Sequence, residues 1–246
     1  MIDAYIAEFI GTLFLLLLGS GVVANVSLKN TIAESQSPWV LITSAWGFAV
    51  FVGVFITGQF SGAHLNPAVT VGLAVAGKFS WTLVPGYIIA QIFGAMMGCW
   101  VSYLIYIDHY RLTQDEVVVR STFCTGPAIR NFKNNFFSEF IGTFVLVFGV
   151  MFIAAPNIEI EGIKVDNFGL GALQALPVGI LVWVIGIALG GTTGYAINPA
   201  RDFGPRLVYQ MLPRKNKDAD WSYAWIPVLA PIAGGALAGF AFILLV

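Results

Sequence analysis

Six stretches of the chain, at about residues 4–26, 39–58, 83–107, 137–155, 172–189 and 224–246, are apolar with little interruption. At about 1.5 Å per residue, each is long enough to cross a hydrocarbon layer about 30 Å thick, and each is predicted to span it as a helix. Only two acids, Glu8 and Glu139, fall inside these stretches, and no Lys or Arg does. The first stretch lacks the basic start of a secretory leader, carries an acid early and has a counterpart later in the chain, so it is expected to be retained. Two further apolar segments are too short to span. Each opens on Asn-Pro-Ala, at Asn66–Pro67–Ala68 and Asn198–Pro199–Ala200. An Asn side-chain oxygen can accept an orphan backbone N–H, and Pro costs nothing in a first helical turn, so each triplet is predicted to start a helix. From Pro67 to about Val75 there is room for roughly ten residues, about 15 Å, half of the layer. Two such half-helices could meet near the midplane with their positive N-termini facing.

The two short segments belong to a duplication. Ala7–Glu8–Phe9–Ile10–Gly11–Thr12 returns 131 residues later as Ser138–Glu139–Phe140–Ile141–Gly142–Thr143, and the triplets lie 132 apart. At the triplet offset, Gly58, Ser61, Gly62, Leu65 and Gly72 align with Gly190, Thr193, Gly194, Ile197 and Gly204. Three spans per unit is an odd number, so the second unit enters the membrane with opposite polarity. That gives an inverted repeat with its site at the midplane. Gly94 matches Gly234 at an offset of 140, which puts an insert around Pro213–Tyr223, after the second half-helix. The predicted organisation is one domain, 1–246, with repeats at about 1–110 and 132–246 joined by a polar connection at about 108–136. The fold class is an all-α membrane protein with six transmembrane helices and two re-entrant half-helices. Gly94 with Gly98, and Gly235 with Gly239, are small-residue pairs that permit close helix contact.

Composition agrees. With 58% hydrophobic and 10% charged residues and a mean hydropathy of +0.82, the chain carries more apolar surface than one soluble core of 246 residues could hide. A formal net charge of -1 offers no basic surface, so no nucleic-acid partner is expected. Cys99 and Cys124 lack metal-ligand spacing and a paired framework. No Ser-His-Asp grouping, metal spacing or phosphate loop falls at one membrane depth, so no catalytic residue, metal or cofactor is expected and an enzyme is disfavoured.

Ala7–Thr12, Ser61–Gly62–Ala63–His64–Leu65–Asn66–Pro67–Ala68–Val69–Thr70, Ala90–Gln91–Ile92–Phe93–Gly94–Ala95 and Gly194–Tyr195–Ala196–Ile197–Asn198–Pro199–Ala200–Arg201–Asp202–Phe203–Gly204–Pro205 together resemble the major intrinsic protein (aquaporin) family, and within it the glycerol facilitators. The resemblance covers nearly the whole chain. It implies a passive channel for glycerol, water and other small uncharged solutes, lying in the plasma membrane as a homotetramer with both termini cytoplasmic. Its partners would be those solutes and membrane lipid. In that orientation only Lys78 and Lys164 occupy cytoplasmic loops, the reverse of the usual positive-inside bias. The competing reading is an ion- or proton-coupled secondary transporter, since broken helices in inverted repeats occur there too.

The duplicated residues suggest how such a pore would select. Asn66 and Asn198 can cap with the side-chain oxygen and aim the amide NH2 into the channel, while two helix N-termini of about half a positive charge each repel cations. The repeat breaks where Val69 becomes Arg201 and Ala63 becomes Tyr195, and a buried Arg at membrane depth is a functional candidate by default. By family spacing, the narrowest point transfers to Trp46, Gly186, Tyr195 and Arg201. Gly186 would leave room for an aromatic, Trp46 and Tyr195 would face a carbon backbone, and Arg201 would donate to hydroxyls. Glycerol facilitators often carry Phe where this chain has Tyr195. Its phenol is expected to admit dihydroxyacetone or undissociated lactic acid alongside glycerol, the alternative being an ordinary pore-wall aromatic. Asp202, with Pro227–Val228, resembles the polyol-conducting subgroup, although Asp202 could equally pair with Arg206 four residues on. Glu8 and Glu139 are expected to brace the re-entrant loops by hydrogen bonds. His64 is expected to hydrogen-bond within its own loop.

Overall fold

The computed structural model describes residues 2–35, 38–153 and 171–246, with two short strands between the last two segments. Helix α1 (Ala4–Ser27) starts where the Asp3 carboxylate accepts the Tyr5 N–H at 2.8 Å. Helix α2 (Trp39–Ser61) runs until Gly62, at φ 80°, turns the chain left-handed. Half-helix α3 (Pro67–Val75) follows, then α4 (Val84–Ile105) with Pro85 in its first turn. The polar connection carries two short helices, α5 (Ile107–Leu112) and α6 (Glu116–Ser121). The second repeat contains α7 (Phe132–Met151), α8 (Leu176–Leu189), α9 (Pro199–Met211) and α10 (Ile226–Leu245). Between α7 and α8, β1 (Glu159–Ile160) pairs antiparallel with β2 (Ile163–Lys164). Among the described residues, six helical segments are long and apolar enough to cross a membrane, and each overlaps one of the six predicted stretches.

The surface inverts the pattern of a soluble protein. Ile6, Phe48, Phe93, Ile105 and Phe240 are more than half exposed, whereas Glu8, Thr12, Thr43, Gln91 and Ser102 are fully buried. Apolar side chains outward and polar ones inward suit a lipid solvent. Such a solvent gives helices no hydrophobic reason to associate and leaves close packing to hold them. Glycines supply that packing. A Cβ on Gly94 or Gly98 of α4 would strike the Phe9 or Leu13 carbonyl of α1, and one on Gly234 of α10 would strike the Phe140 carbonyl of α7. These contacts are repeat-related. Across the repeats, Gly47 of α2 and Gly179 of α8 face each other so that an added Cβ on either meets the other's carbonyl at 2.7–2.8 Å. Each half-helix leans on the last span of the opposite repeat: α3 on Gly235 and Gly239 of α10, α9 through Gly204 on the Ile92 carbonyl of α4.

Several boundaries differ from those predicted. Helix α7 begins at Phe132 rather than 137, because the Asn131 side chain caps it through the Asn134 N–H and its first turn carries Lys133, Asn134 and Asn135, outside the apolar run. Residues 154–155, at the end of that predicted span, lie outside the described residues. Helix α2 continues past 58 to Ser61, where Ser61 donates to the Glu8 carboxylate at 2.7 Å. The apolar run to 107 breaks at Tyr106, the end of α4 and the start of α5.

The connection between the repeats and the segment after α9 gather on one face. Lys29 N–H donates to Thr113 Oγ1 at 3.0 Å, Ala128 N–H to the Thr192 carbonyl at 3.0 Å, and Arg214 pairs with Glu116 at 2.9 Å. The connection through α5 and α6 therefore lies beside the ends of α1, α8 and α9. On the opposite face Lys78 sits 4.5 Å from the centre of the Phe242 ring.

Candidate functional site

Helices α3 and α9 meet N-terminus to N-terminus, as their Asn-Pro starts require. Asn66 and Asn198 hold the cap positions with extended backbones. The Asn66 side-chain oxygen accepts the Ala68 N–H at 2.8 Å. That of Asn198 accepts the N–H groups of Ala200 and Arg201 at 3.0 and 3.2 Å. Pro67 and Pro199 fill the first helical positions, and Ala68 and Ala200 are fully buried. The two amide nitrogens cross over: Asn66 Nδ2 donates to the Ile197 carbonyl and Asn198 Nδ2 to the Leu65 carbonyl, both at 2.8 Å. Each Asn thereby spends one of its two amide hydrogens tying the repeats together. The expectation of a whole NH2 facing the channel is corrected to a single N–H per residue.

The chain reaches each cap by the same irregular path. Gly62, Ala63 and Leu65 have φ of 80°, 50° and 51°, and Gly194, Tyr195 and Ile197 have 79°, 39° and 42°. Left-handed backbone costs a non-glycine residue roughly 1–2 kcal/mol, so these loops need outside support. Two buried carboxylates give it. Glu8 accepts from Ser61 Oγ, the backbone of His64 and Leu65, and Gln91 Nε2, at 2.7–2.9 Å. Glu139 accepts from the backbone of Ala196 and Ile197 at 2.9 and 2.8 Å. The repeat-related acids thus satisfy repeat-related N–H groups that no helix could pair. His64 departs from expectation: its Nδ1 lies 3.1 Å from Thr70 Oγ1, on α3 rather than in its own loop, and its ring packs 4.5 Å from Phe79 and 5.0 Å from Tyr87.

A cavity of about 130 Å³ runs along these loops, lined by Trp46, Tyr195, Arg201, both Asn residues and His64 among aliphatic side chains such as Val50, Val54, Leu146 and Val182. Arg201, 8% exposed, stacks 4.1 Å above the Trp46 ring and donates through Nη1 to the Phe123 carbonyl at 3.2 Å. Trp46 in turn rests where a side chain on Gly19 would stand. Gly186 does not line the cavity. It lies behind Tyr195, where an added Cβ would come within 2.7 Å of the ring and 2.9 Å of the hydroxyl, and Gly190 does the same on the other edge. The buried Tyr195 hydroxyl has no hydrogen-bond partner among the described residues.

Asp202 makes the pair with Arg206. The Arg206 Nε and Nη2 both reach Asp202 Oδ1 at 2.8 Å with both side chains fully buried. The second carboxylate oxygen accepts the N–H and the hydroxyl of Thr125 at 2.8 and 2.7 Å. Phe123 and Thr125 carry no signal in the sequence, because their segment has no repeat partner and their contacts are largely made by backbone atoms. Trp39, edge-on to Tyr195 at 5.9 Å, backs that ring and is another residue that spacing could not single out.

The family model described as Major intrinsic protein matches residues 1–242. A probable glycerol uptake facilitator protein of Thermotoga maritima is 50% identical over 236 residues, covering 96% of this chain and 96% of that protein. A D/L-lactic acid transporter of Lactiplantibacillus plantarum is 37% identical over 245 residues, 98% of this chain and 96% of its own. Among solved structures, that of the aquaglyceroporin from Plasmodium falciparum superposes with a TM-score of 0.82 at 30% identity, covering 98% of this chain and 95% of that one.

Proposed function

The chain belongs to the major intrinsic protein family and is a multi-pass membrane channel protein rather than an enzyme; from that premise we propose that it conducts glycerol by passive diffusion, together with water, dihydroxyacetone and undissociated lactic acid. The observation that carries this reading is the make-up of the cavity. Its wall is largely aliphatic and aromatic, broken by the amides of Asn66 and Asn198 and the Arg201 guanidinium. A three-carbon polyol has the matching surface, with carbon on one side and hydroxyls on the other. Trp46, Tyr195 and Arg201 form the selectivity filter, with Gly186 giving the Tyr195 ring its place. Trp46 and Tyr195 take the carbon backbone, and Arg201 and the free N–H groups of Asn66 and Asn198 replace the hydrogen bonds of water lost on entry.

Cations are excluded by two facing helix N-termini of about half a positive charge each and by Arg201. Proton hopping fails because a water at the centre that accepts from both Asn N–H groups has both lone pairs engaged and cannot take a proton from the next water. A lactate ion would lose its hydration for too few donors, so lactic acid passes only when neutral. The coupled-transporter reading would need a free titrating acid at the midplane. The carboxylates of Glu8 and Glu139 are engaged by the loops they brace, and this favours the channel. We place the protein in the plasma membrane as a homotetramer with both termini cytoplasmic.

Light scattering of proteoliposomes tests the solute list. Glycerol entry well above that of empty vesicles is expected, with lactic acid entry that rises as pH falls toward the carboxyl's ordinary range. Fast water flow without glycerol entry would contradict the wide filter.

A further inference from the structure

Arg201 makes one side-chain hydrogen bond to protein among the described residues, to the Phe123 carbonyl at 3.2 Å. That carbonyl belongs to neither repeat. It sits on the connection between them, after α6, and something must fix it against a guanidinium that could otherwise swing. Two residues on, Thr125 is held at every polar atom. Its N–H and hydroxyl both donate to Asp202 Oδ2, at 2.8 and 2.7 Å, and its carbonyl accepts from Arg206 Nη2 at 2.9 Å. Asp202 follows Arg201 directly, and Arg206 extends the clasp to the Ala219 and Asp220 carbonyls. The Thr125 methyl lies where it would meet a side chain on Gly194 at 3.3 Å, and Gly194, at φ 79°, is the residue before Tyr195. Thr125 thus touches the first turn of α9 on one side and the approach to Tyr195 on the other, two residues beyond the Phe123 carbonyl, whose peptide also donates through the Cys124 N–H to the Arg120 carbonyl at 3.1 Å.

We infer that Thr125, clasped by the buried Asp202–Arg206 pair, is a positioning residue that sets the filter's selectivity by fixing Arg201 through the Phe123 carbonyl. The inference rests on the channel reading above. It assigns selectivity to a connection outside the pore wall. Asp202 then serves in a buried pair whose free oxygen reaches across to another segment, and its importance lies in geometry, since buried pairs by themselves stabilise little.

The test compares the parent with Thr125→Val, Thr125→Ala and Thr125→Ser in proteoliposomes, measuring entry of glycerol and of the four-carbon polyol erythritol. Valine keeps the volume but sets a methyl against a carboxylate oxygen that expects a donor. Alanine only removes the hydroxyl and serves if the valine variant does not fold. Loss of the charge-assisted bond should raise the erythritol-to-glycerol ratio about threefold or more, with the serine variant close to the parent. A merely structural role would lower both fluxes together and leave the ratio unmoved. An unchanged ratio in both the valine and alanine variants overturns the inference, as does a serine variant that shifts it as far as they do. A parent that passes no polyol defeats the channel reading on its own, and the same comparison run on water and urea then judges Thr125.

Discussion

Tyr195 bears the sharpest consequence of a single atom. Its ring is held between Gly186, Gly190 and Trp39, while its buried hydroxyl lies on the Gly186 side with no hydrogen-bond partner among the described residues, so it adds no hydrogen bond to the fold. Tyr195→Phe is therefore expected to leave thermal stability within about 0.5 kcal/mol of the parent. In uptake assays it should lower dihydroxyacetone and lactic acid entry relative to glycerol, and unchanged relative rates would return Tyr195 to the role of a plain wall aromatic. Gly186 acts at the same place through what it lacks. A Cβ there would lie 2.7 Å from the Tyr195 ring, and Gly186→Ala must push the ring into the pore. Glycerol permeability should fall about tenfold while water, the smaller solute, loses less. Equal losses for both would mean that the ring moves elsewhere.

At the scale of elements, the molecule depends on how two re-entrant loops are kept in a costly conformation. Four non-glycine residues with positive φ are braced by Glu8 and Glu139. Replacing Glu139 by Gln keeps its shape but turns an NH2 toward an N–H of Ala196 or Ile197. About 2–4 kcal/mol of stability should be lost, read as a lower thermal unfolding midpoint of the detergent-solubilised protein. A midpoint within a degree of the parent would show that the loop holds itself.

Much of this level was legible in the sequence. Asn66–Pro67 and Asn198–Pro199 marked the half-helices because capping is local chemistry, and the repeat announced Glu8 and Glu139 as a matched pair. What stayed hidden was non-local or made by backbone. The crossing of the Asn amides, the His64 contact with Thr70, the Phe123 carbonyl and the clasp on Thr125 depend on segments brought together only by the packed spans. The early start of α7 was missed for a different reason, since hydropathy does not register a capped polar turn.

For the whole molecule, the face that gathers the connection through α5 and α6 with the segment after α9 is held by ion pairs outside the spans. Burial raises the Asp220 carboxyl, but hydrogen bonds from Arg130 and Ser222 outweigh it and hold the group below its ordinary range. A carboxyl depressed in the folded state contributes stability above its unfolded pKa of about 3.9, and that contribution is lost as pH falls through the lower folded value. Acid unfolding curves of the parent should show this loss below about pH 4, and Asp220→Asn should remove the step.

Orientation is open to chemical labelling, though not of Cys124 itself. That thiol is buried and pushed up to about 12 by burial and by Asp202, leaving it unreactive at neutral pH. Cysteines placed at the exposed Lys78 and Lys215 report opposite faces. Both termini cytoplasmic predicts that only the Lys215→Cys variant reacts with an impermeant reagent from outside the cell, and the reverse pattern would invert the assignment.

Passive conduction of a neutral polyol is read from the initial rate of glycerol entry into proteoliposomes as its concentration is raised, with and without imposed sodium and proton gradients. A passive channel gives a rate that stays proportional to concentration and does not respond to either gradient; a rate that saturates and collapses when a gradient is dissipated would identify a coupled carrier.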